Sequence, residues 1–206
     1  MKYDLIIIGA GSGGFASAIQ ANELGLKTLM INSGLPIGGT CVNVGCVPSK
    51  ALIHYAKNKN LNFSQAIEKE LALVAELRKE KYENVLKSLK NVEFIEGKAK
   101  FVSENEIEVL GRRFQAEKFI IANGSTANVP NIEGIEEIGY LTHVTALSNK
   151  NLPQSIAIIG AGPLGLEFSQ IYSRFGSKVI ILEKGSSIFP PGEKELTQRL
   201  KEILEK

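Results

Sequence analysis

Residues 5–14 read Leu-Ile-Ile-Ile-Gly-Ala-Gly-Ser-Gly-Gly, and residues 156–165 read Ile-Ala-Ile-Ile-Gly-Ala-Gly-Pro-Leu-Gly. In both stretches a short apolar strand runs directly into a Gly-x-Gly-x-x-Gly turn, and a helical stretch follows. Gly25 lies 16 residues after Gly9, and Gly176 lies 16 residues after Gly160, so a glycine ends each helix at the same distance. A single motif is a weak signal, because glycine-rich turns are common. Two copies with matching spacing predict two dinucleotide-binding units, the alternative being two ligand-free turns in a parallel sheet.

Each glycine of the motif has its own physical role. The first allows a tight strand-to-helix turn, the second lets a pyrophosphate approach the backbone, and the third lets the helix pack closely on the strand. The helix N terminus then offers N–H groups and a positive dipole to the phosphates. The glycines predicted to do this are Gly9, Gly11 and Gly14 in the first copy and Gly160, Gly162 and Gly165 in the second.

The end of the second strand in each copy predicts how a nucleotide ribose is bound. A carboxylate is expected there, about 20 residues after the first glycine. Glu183 lies 23 residues after Gly160 and favours NADH, because a carboxylate pairs with a ribose 2′-hydroxyl and repels a 2′-phosphate. The neighbouring Lys184 weakens that preference. Asn32 holds the equivalent place in the first copy and can hydrogen-bond to a hydroxyl without carrying charge.

The composition is that of a soluble globular protein. Of the 206 residues, 44% are hydrophobic and 22% are charged, which argues against disorder. With 24 Lys and Arg against 22 Asp and Glu, the formal charge of +2 gives no sign of a nucleic-acid-binding surface. No apolar stretch approaches the ~20 residues of a membrane span, and we read the N-terminal apolar run as a strand rather than a signal peptide. We therefore expect a cytoplasmic protein without nucleic-acid or membrane partners.

The chain predicts one α/β domain and the beginning of another. Residues 60–89 look helical, and residues 92–121 alternate in the manner of strands, which predicts a small antiparallel sheet after the first βαβ unit. Residues 123–153 look like a connection. The second copy contains only two strands and an amphipathic helix over Lys194–Leu204. We predict a Rossmann-like domain over residues 1–150 and the incomplete start of a second Rossmann-like domain over residues 151–206.

Both cysteines of the chain lie in one glycine-rich segment, residues 38–50, which reads Gly-Gly-Thr-Cys-Val-Asn-Val-Gly-Cys-Val-Pro-Ser-Lys. Cys41 and Cys46 can form a disulfide only if the turn between them is bent, which Gly45 permits. A nearby helix N terminus favours a thiolate and predicts a lowered thiol pKa. A redox-active dithiol is the favoured interpretation. Two buried unpaired cysteines are an alternative, and a zinc site is a poor one because only His54 and His143 could complete it.

This segment resembles the Gly-Gly-Thr-Cys-x-Asn-x-Gly-Cys-x-Pro-x-Lys signature of the FAD-dependent pyridine nucleotide–disulfide oxidoreductases, without interruption from Gly38 to Lys50. The resemblance covers essentially all 206 residues but only the N-terminal part of a full-length family member. Within the family, residues 78–82, 92–97 and 140–147 are more similar to mercuric reductases than to dihydrolipoyl dehydrogenases. The resemblance implies FAD and NAD(P)H as cofactors.

The resemblance also implies a role for each matching residue. Cys46 would be the thiol next to the flavin and Cys41 the thiol that meets the substrate. Lys50 would lie near the flavin, with Glu167 as its partner. The FAD-binding positions implied are Gly9, Gly11, Gly14, Asn32, Gly39, Thr40, Lys50 and Gly124, and the nicotinamide nucleotide would contact Gly160, Gly162, Gly165 and Glu183.

Two positions depart from the family pattern. Asn32 stands where the family usually has Glu. The family's Ala-Thr-Gly-Ser-x-Pro segment near the flavin reads Ala-Asn-Gly-Ser-Thr-Ala at residues 122–127. Neither change removes a redox-active group.

By resemblance, electrons pass from NAD(P)H through FAD to the Cys41–Cys46 pair and on to a substrate. The substrate expected is Hg(II), held transiently by both cysteines and reduced to Hg(0). A dihydrolipoyl dehydrogenase-like disulfide oxidoreductase is the alternative, and a non-catalytic, metal-binding dithiol fragment is a third reading of this chain. The full-length protein is expected to be a homodimer, with further domains after residue 206.

Overall fold

A computed structural model of the chain describes residues 2–189 and 193–205. The chain divides into two compact units, each assembled from two segments. The first comprises Met1–Pro48 and Leu71–Thr142, and the second comprises Ser49–Glu70 and His143–Lys206. The predicted domain boundary near residue 150 stays a prediction.

The first unit contains a six-stranded mixed sheet in the order β3-β2-β1-β6-β5-β4. Its central strands β1 and β2 are apolar and buried, as expected for parallel strands that are covered on both faces. The strands are β1 (Lys2–Ile8), β2 (Thr28–Asn32), β3 (Val92–Glu96), β4 (Lys100–Ser103), β5 (Glu106–Val109) and β6 (Arg112–Ile121).

The parallel part of this sheet is larger than the sequence suggested. β3 pairs in parallel with β2, and residues 115–121 of β6 pair in parallel with β1. Only β4, β5 and the beginning of β6 are antiparallel. The predicted antiparallel sheet is therefore present, but β3 and the second half of β6 belong to the parallel layer with β1 and β2, and Ile8 and Ile121 end side by side.

The first helix packs on this sheet. Phe15 and Ala18 on the first helix pack with Leu5, Ile7 and Met30. Ile6 belongs to a separate cluster with Ile107 and Phe114. The helices up to residue 148 are α1 (Ser12–Glu23), α2 (Gly39–Val44), α3 (Cys46–Tyr55), α4 (Phe63–Arg78), a π-helical turn (Lys79–Glu83), α5 (Asn84–Ser88), α6 (Ile135–Ile138) and α7 (His143–Ser148).

The second unit contains a two-stranded parallel sheet. Its elements after residue 148 are β7 (Ser155–Ile159), α8 (Pro163–Arg174), β8 (Lys178–Leu182) and α9 (Lys194–Leu204). Ile156 pairs with Val179 and Ile159 with Leu182. The predicted helix over Lys194–Leu204 is confirmed to the residue.

The internal repeat is confirmed in each unit. α1 and α8 both have 12 residues, and each begins just after the second glycine of its motif. Gly9 and Gly160 both have positive φ angles, 113° and 104°, which favour glycine at the tight turn. No helix among residues 2–189 and 193–205 combines the length and apolar character needed to cross a bilayer.

Candidate functional site

The first glycine motif forms a turn that leaves no space for side chains. A Cβ atom on Gly9 would lie 2.1 Å from the Ala122 carbonyl oxygen, and one on Gly14 would lie 1.9 Å from the Gly9 carbonyl oxygen. Gly11 precedes α1, and neither a side-chain cap nor an acidic residue in the first turn satisfies the helix N terminus. This leaves α1 with the free N–H groups and positive dipole that suit a phosphate.

The second glycine motif has the same construction. A Cβ atom on Gly165 would lie 2.0 Å from the Gly160 carbonyl oxygen, whereas one on Gly162 would meet no atom within 4 Å. The N terminus of α8 is likewise without a side-chain cap or an acidic residue in its first turn. The open space beside Gly162 suits close approach of a pyrophosphate to the backbone.

Asn32 and Glu183 make equivalent hydrogen bonds in the two copies. The Asn32 Oδ1 accepts the Ala10 N–H at 3.3 Å, and the Glu183 Oε2 accepts the Ala161 N–H at 2.6 Å. Asn32 also donates from Nδ2 to the Leu35 carbonyl at 2.8 Å and is buried, so its amide is engaged within the loop. The N–H groups of Gly185 and Ala161 lower the pKa of the exposed Glu183 carboxyl, which keeps it anionic.

The helix that carries Cys41 lies directly against the first glycine motif. The Gly38 N–H donates to the Ala10 carbonyl at 2.7 Å. A Cβ atom on Gly39 would lie 2.7 Å from the Gly11 Cα, so only glycine permits this approach. α2 therefore begins against the turn proposed to hold a pyrophosphate, and Thr40 and Cys41 follow at once on its exposed side.

The two cysteines lie close together on the surface. Gly45 separates α2 from α3 with φ −135° and ψ −114°, and a Cβ atom there would lie 2.9 Å from the Thr40 carbonyl oxygen. The bend predicted at Gly45 is thus confirmed. Cys41 and Cys46 are both exposed and unbridged, so the alternative of two buried cysteines is wrong.

The neighbouring Cys46 side chain affects how Cys41 ionises. A hydrogen bond with Cys46 raises the pKa of the Cys41 thiol above its ordinary value, and desolvation adds to the effect. The predicted lowering of a thiol pKa by a helix dipole therefore does not hold for Cys41, because its hydrogen bond with Cys46 and its desolvation act in the opposite direction. Among the described residues, no group of three or more His, Cys, Asp or Glu side chains is placed to hold a metal ion.

Lys50 and Glu167 form an ion pair within the second unit, although 117 residues separate them. The Lys50 Nζ bonds to Oε1 of Glu167, and the Ser49 hydroxyl donates to Oε2 at 2.9 Å. Both oxygens of the carboxylate are thus engaged. Cys46 is the first residue of α3 and Lys50 the fifth, so the helix that starts at one cysteine continues into this ion pair.

Gly124 follows β6 at the edge of the first glycine motif. Its φ of 69° lies in the left-handed region, and a Cβ atom on it would meet nothing within 4 Å. A Cβ atom on Gly9 would lie 3.0 Å from the backbone nitrogen of Asn123, the residue before Gly124. Gly9, Gly11, Gly39 and Gly124 are therefore brought to one region of the first unit.

Comparison with known proteins agrees with this geometry. The sequence pattern of the family described as pyridine nucleotide-disulphide oxidoreductase matches residues 3–206. The chain belongs to this family. Curated members of the pyridine nucleotide-disulphide oxidoreductases that it matches include a mercuric reductase from Bacillus cereus, 38% identical over 218 residues, and a dihydrolipoyl dehydrogenase from Thermus scotoductus, 36% identical over 224 residues.

Solved structures of the same family share the fold. The Cu(II) complex of the HOCl-induced flavoprotein disulfide reductase RclA from Escherichia coli matches with a TM-score of 0.90 at 32% identity, over 98% of this chain and 46% of that one. The alignments cover 98% of this chain and 34% of the Bacillus cereus protein, and 99% of this chain and 47% of the Thermus scotoductus protein. The chain therefore spans a third to a half of the length of these relatives.

The sequence analysis did not identify Asn43 and Arg78 as residues that support the cysteine segment. Asn43 lies within the cysteine segment, and its buried amide holds the loop before α2. Arg78 bonds to it at 2.9 Å from 35 residues away. The asparagine could have been suspected from its place between the cysteines, but no local pattern pairs it with the arginine.

Proposed function

We propose that this chain is part of an FAD-dependent oxidoreductase that uses NAD(P)H and the Cys41–Cys46 dithiol to reduce Hg(II) to Hg(0). The observation that carries the proposal is the backbone contact between Gly39 and Gly11. It brings the helix that carries the redox-active thiol against the turn that suits a dinucleotide pyrophosphate. A dithiol and a flavin site must be neighbours for electrons to pass between them.

The residues of the first unit fit FAD. At Gly9 and Gly14 a side chain would collide with the backbone of the turn, Gly11 precedes α1, and the N terminus of α1 has no side-chain cap. Gly39, Thr40, Gly124 and Asn32 would complete the site, and Lys50, held by Glu167, would lie near the flavin. Bound FAD supplies two-electron chemistry between a nicotinamide and a dithiol.

The residues of the second unit fit a nicotinamide nucleotide. Gly160, Gly162 and Gly165 would receive its pyrophosphate at the N terminus of α8. The Glu183 carboxyl, kept anionic by two backbone N–H groups, would accept a hydrogen bond from a ribose hydroxyl and repel a 2′-phosphate. This favours NADH over NADPH.

The exposed dithiol suits a thiophilic cation. Hg(II) is soft and prefers thiolate ligands, and two thiols that bind it release two protons. Cys41 and Cys46 are both exposed and lie on either side of Gly45, so both thiols are open to one ion. Overall, NAD(P)H and Hg(II) give NAD(P)⁺, a proton and Hg(0).

The test is direct. The purified 206-residue chain is mixed with FAD and freed of unbound FAD by gel filtration, and its visible spectrum and Hg(II)-dependent oxidation of NADH and NADPH are measured. A yellow protein that oxidises the nucleotide only with Hg(II), and a Cys41→Ser variant that is yellow but inactive, are expected. A colourless protein without turnover would leave the third reading, a non-catalytic dithiol that binds metal.

A dihydrolipoyl dehydrogenase-like reaction is the second candidate, favoured by the 36% identity to the Thermus scotoductus protein. In that reaction the Cys41 thiolate attacks one sulfur of a disulfide, forms a mixed disulfide and releases the other sulfur as a thiol. Cys46 then displaces the second thiol and closes the Cys41–Cys46 disulfide. Turnover with lipoamide and none with Hg(II) would select this candidate.

A further inference from the structure

The Asn43 side chain hydrogen-bonds to the backbone just before α2 and to the first residue of α2. Its Nδ2 donates to the carbonyl oxygens of Pro36 and Ile37, both at 3.0 Å, and of Gly39 at 2.9 Å. The side chain is buried, with 8% exposed. Since these carbonyls flank the start of α2, the amide fixes where the helix begins.

Arg78 supplies the remaining partner of that amide. Its Nη1 donates to the Asn43 Oδ1 at 2.9 Å, and its Nε lies 3.8 Å from Oε1 of Glu83. The Arg78 side chain is 27% exposed, so most of the guanidinium is withdrawn from water between these two groups. An arginine suits this place because its planar fork presents several donors in fixed directions.

The chain just after Arg78 touches the same segment at a second point. Arg78 ends α4, and the π-helical turn Lys79–Glu83 follows, closed by the Asn84 N–H bonding back to the Lys79 carbonyl. Tyr82 in this turn packs edge-on against Phe15 with 4.9 Å between ring centroids. A Cβ atom on Gly38 would lie 3.0 Å from Cδ2 of the Tyr82 ring. π-Helical turns within α-helices are concentrated at functional sites.

We propose that Arg78 is a positioning residue for the dithiol: by fixing Asn43 it holds α2, which carries Cys41, in place relative to Cys46 at the start of α3. This inference rests on the proposed dithiol function. Among the described residues Arg78 bonds to Asn43 and pairs with Glu83 but with neither cysteine, so it acts through Asn43. Its loss should lower the effective concentration of one thiol at the other and make the disulfide easier to reduce.

The experiment measures the equilibrium of the dithiol with glutathione in the full chain. One glutathione disulfide oxidises the two thiols to the Cys41–Cys46 disulfide and is itself reduced to two glutathione thiols, so protons and electrons balance. Reduced and oxidised fractions are trapped with acid, alkylated and quantified by mass. We expect Arg78→Gln to lower the equilibrium constant for disulfide formation about tenfold, a rise of ~30 mV in reduction potential. Arg78→Lys, which keeps one donor, should restore part of the loss.

Arg113→Gln is the matched control, because Arg113 is also paired with carboxylates of the first unit, Glu106 and Glu108. It should leave the constant unchanged. Circular dichroism and thermal unfolding establish that each variant is folded. An unchanged constant in folded Arg78→Gln would overturn the proposal, and if that variant does not fold, an unchanged constant in Arg78→Lys with an altered one in Arg113→Gln would do so. The assay contains no flavin, nucleotide or mercury, so its result is independent of whether the chain reduces Hg(II).

Discussion

Gly39 and Gly11 touch through their backbones, so that a single added carbon on Gly39 would lie 2.7 Å from the Gly11 Cα. Gly39 also has a φ of 65°, a left-handed conformation in which other residues are strained. The positive φ and the lack of space for a Cβ atom therefore both require glycine at position 39. The relationship ties the cysteine-bearing helix to the glycine turn without any side chain.

We expect Gly39→Ala to destabilise the chain and abolish flavin binding. The φ strain alone costs roughly 1–2 kcal/mol, and the collision with Gly11 adds to it. Gly25→Ala is the matched control, because Gly25 has a φ of 71° but no atom within 4 Å of its Cβ position. Urea unfolding and FAD titration of both variants separate the two effects. Equal losses in the two variants would show that the close approach is unimportant.

We expect Asn32→Glu to tighten FAD binding about tenfold. The Asn32 amide is used within the loop, whereas a carboxylate has further lone pairs for a ribose hydroxyl, and a hydrogen bond to a charged group contributes about 1.5–3 kcal/mol. The dissociation constant from quenching of FAD fluorescence is the measurement. Asn32→Gln, of similar length without charge, should not tighten binding. If both variants bind FAD equally, charge at this position is not what the first site lacks.

We expect Glu70 to make the chain less stable as the pH rises from about 4.5 to about 7. Glu70 is 1% exposed, its Oε2 has no hydrogen-bond partner among the described residues, and burial raises its pKa to about 7. The folded chain therefore holds a proton that the unfolded chain releases above pH ~4.5, so stability falls across this window, by at most about 3 kcal/mol. Urea unfolding at a series of pH values tests this.

Glu70→Gln should remove that pH dependence and stabilise the chain above pH 7. Glu68→Gln is the control, since Glu68 lies two residues earlier, is 57% exposed and pairs with Lys150 at 2.9 Å. It should leave the slope between pH 5 and 7 as it is in the parent chain. A parent chain whose stability is flat across this range would contradict the burial of an unpaired carboxyl.

We expect the reduced, FAD-loaded chain to show a long-wavelength charge-transfer band that Cys46→Ser abolishes. A band of this kind requires a thiolate against the flavin, the place proposed for Cys46. Cys41→Ser is the matched control and should keep the band, because the remaining thiol is the one beside the flavin. Absorption spectra during reductive titration decide it, and the opposite pattern would exchange the roles of the two cysteines.

The repeat could be predicted because each of its features is local. The strand leads directly into the glycines and the helix stop follows 16 residues after the first glycine, and glycine is the only residue that fits where a Cβ would lie 1.9 Å from a carbonyl oxygen. The bend at Gly45 could be predicted for the same reason. The elements around Gly9 and Gly160 accordingly agree with the sequence interpretation.

Pairings between distant residues could not be predicted. β3 is a half-buried edge strand, so its alternating pattern is typical of an antiparallel sheet, although it pairs in parallel with β2. Nothing near Asn43 indicates Arg78, because their bond depends on how α4 returns to the cysteine segment. The burial of Glu70 could have been predicted from the sequence. Glu70 lies three residues after Ile67 and four before Val74, on the helix face that the apolar pattern buries.

The two copies of the repeat allow the two proposed nucleotide sites to be compared within one molecule. Every position in the first motif has a counterpart 151 residues later, from Gly9 and Gly160 to Asn32 and Glu183. Each pair experiences the same buffer, temperature and purification in one sample. Isotope labels on Ala10 and Ala161 would therefore report, in a single spectrum, which of two nearly identical turns a given nucleotide has entered.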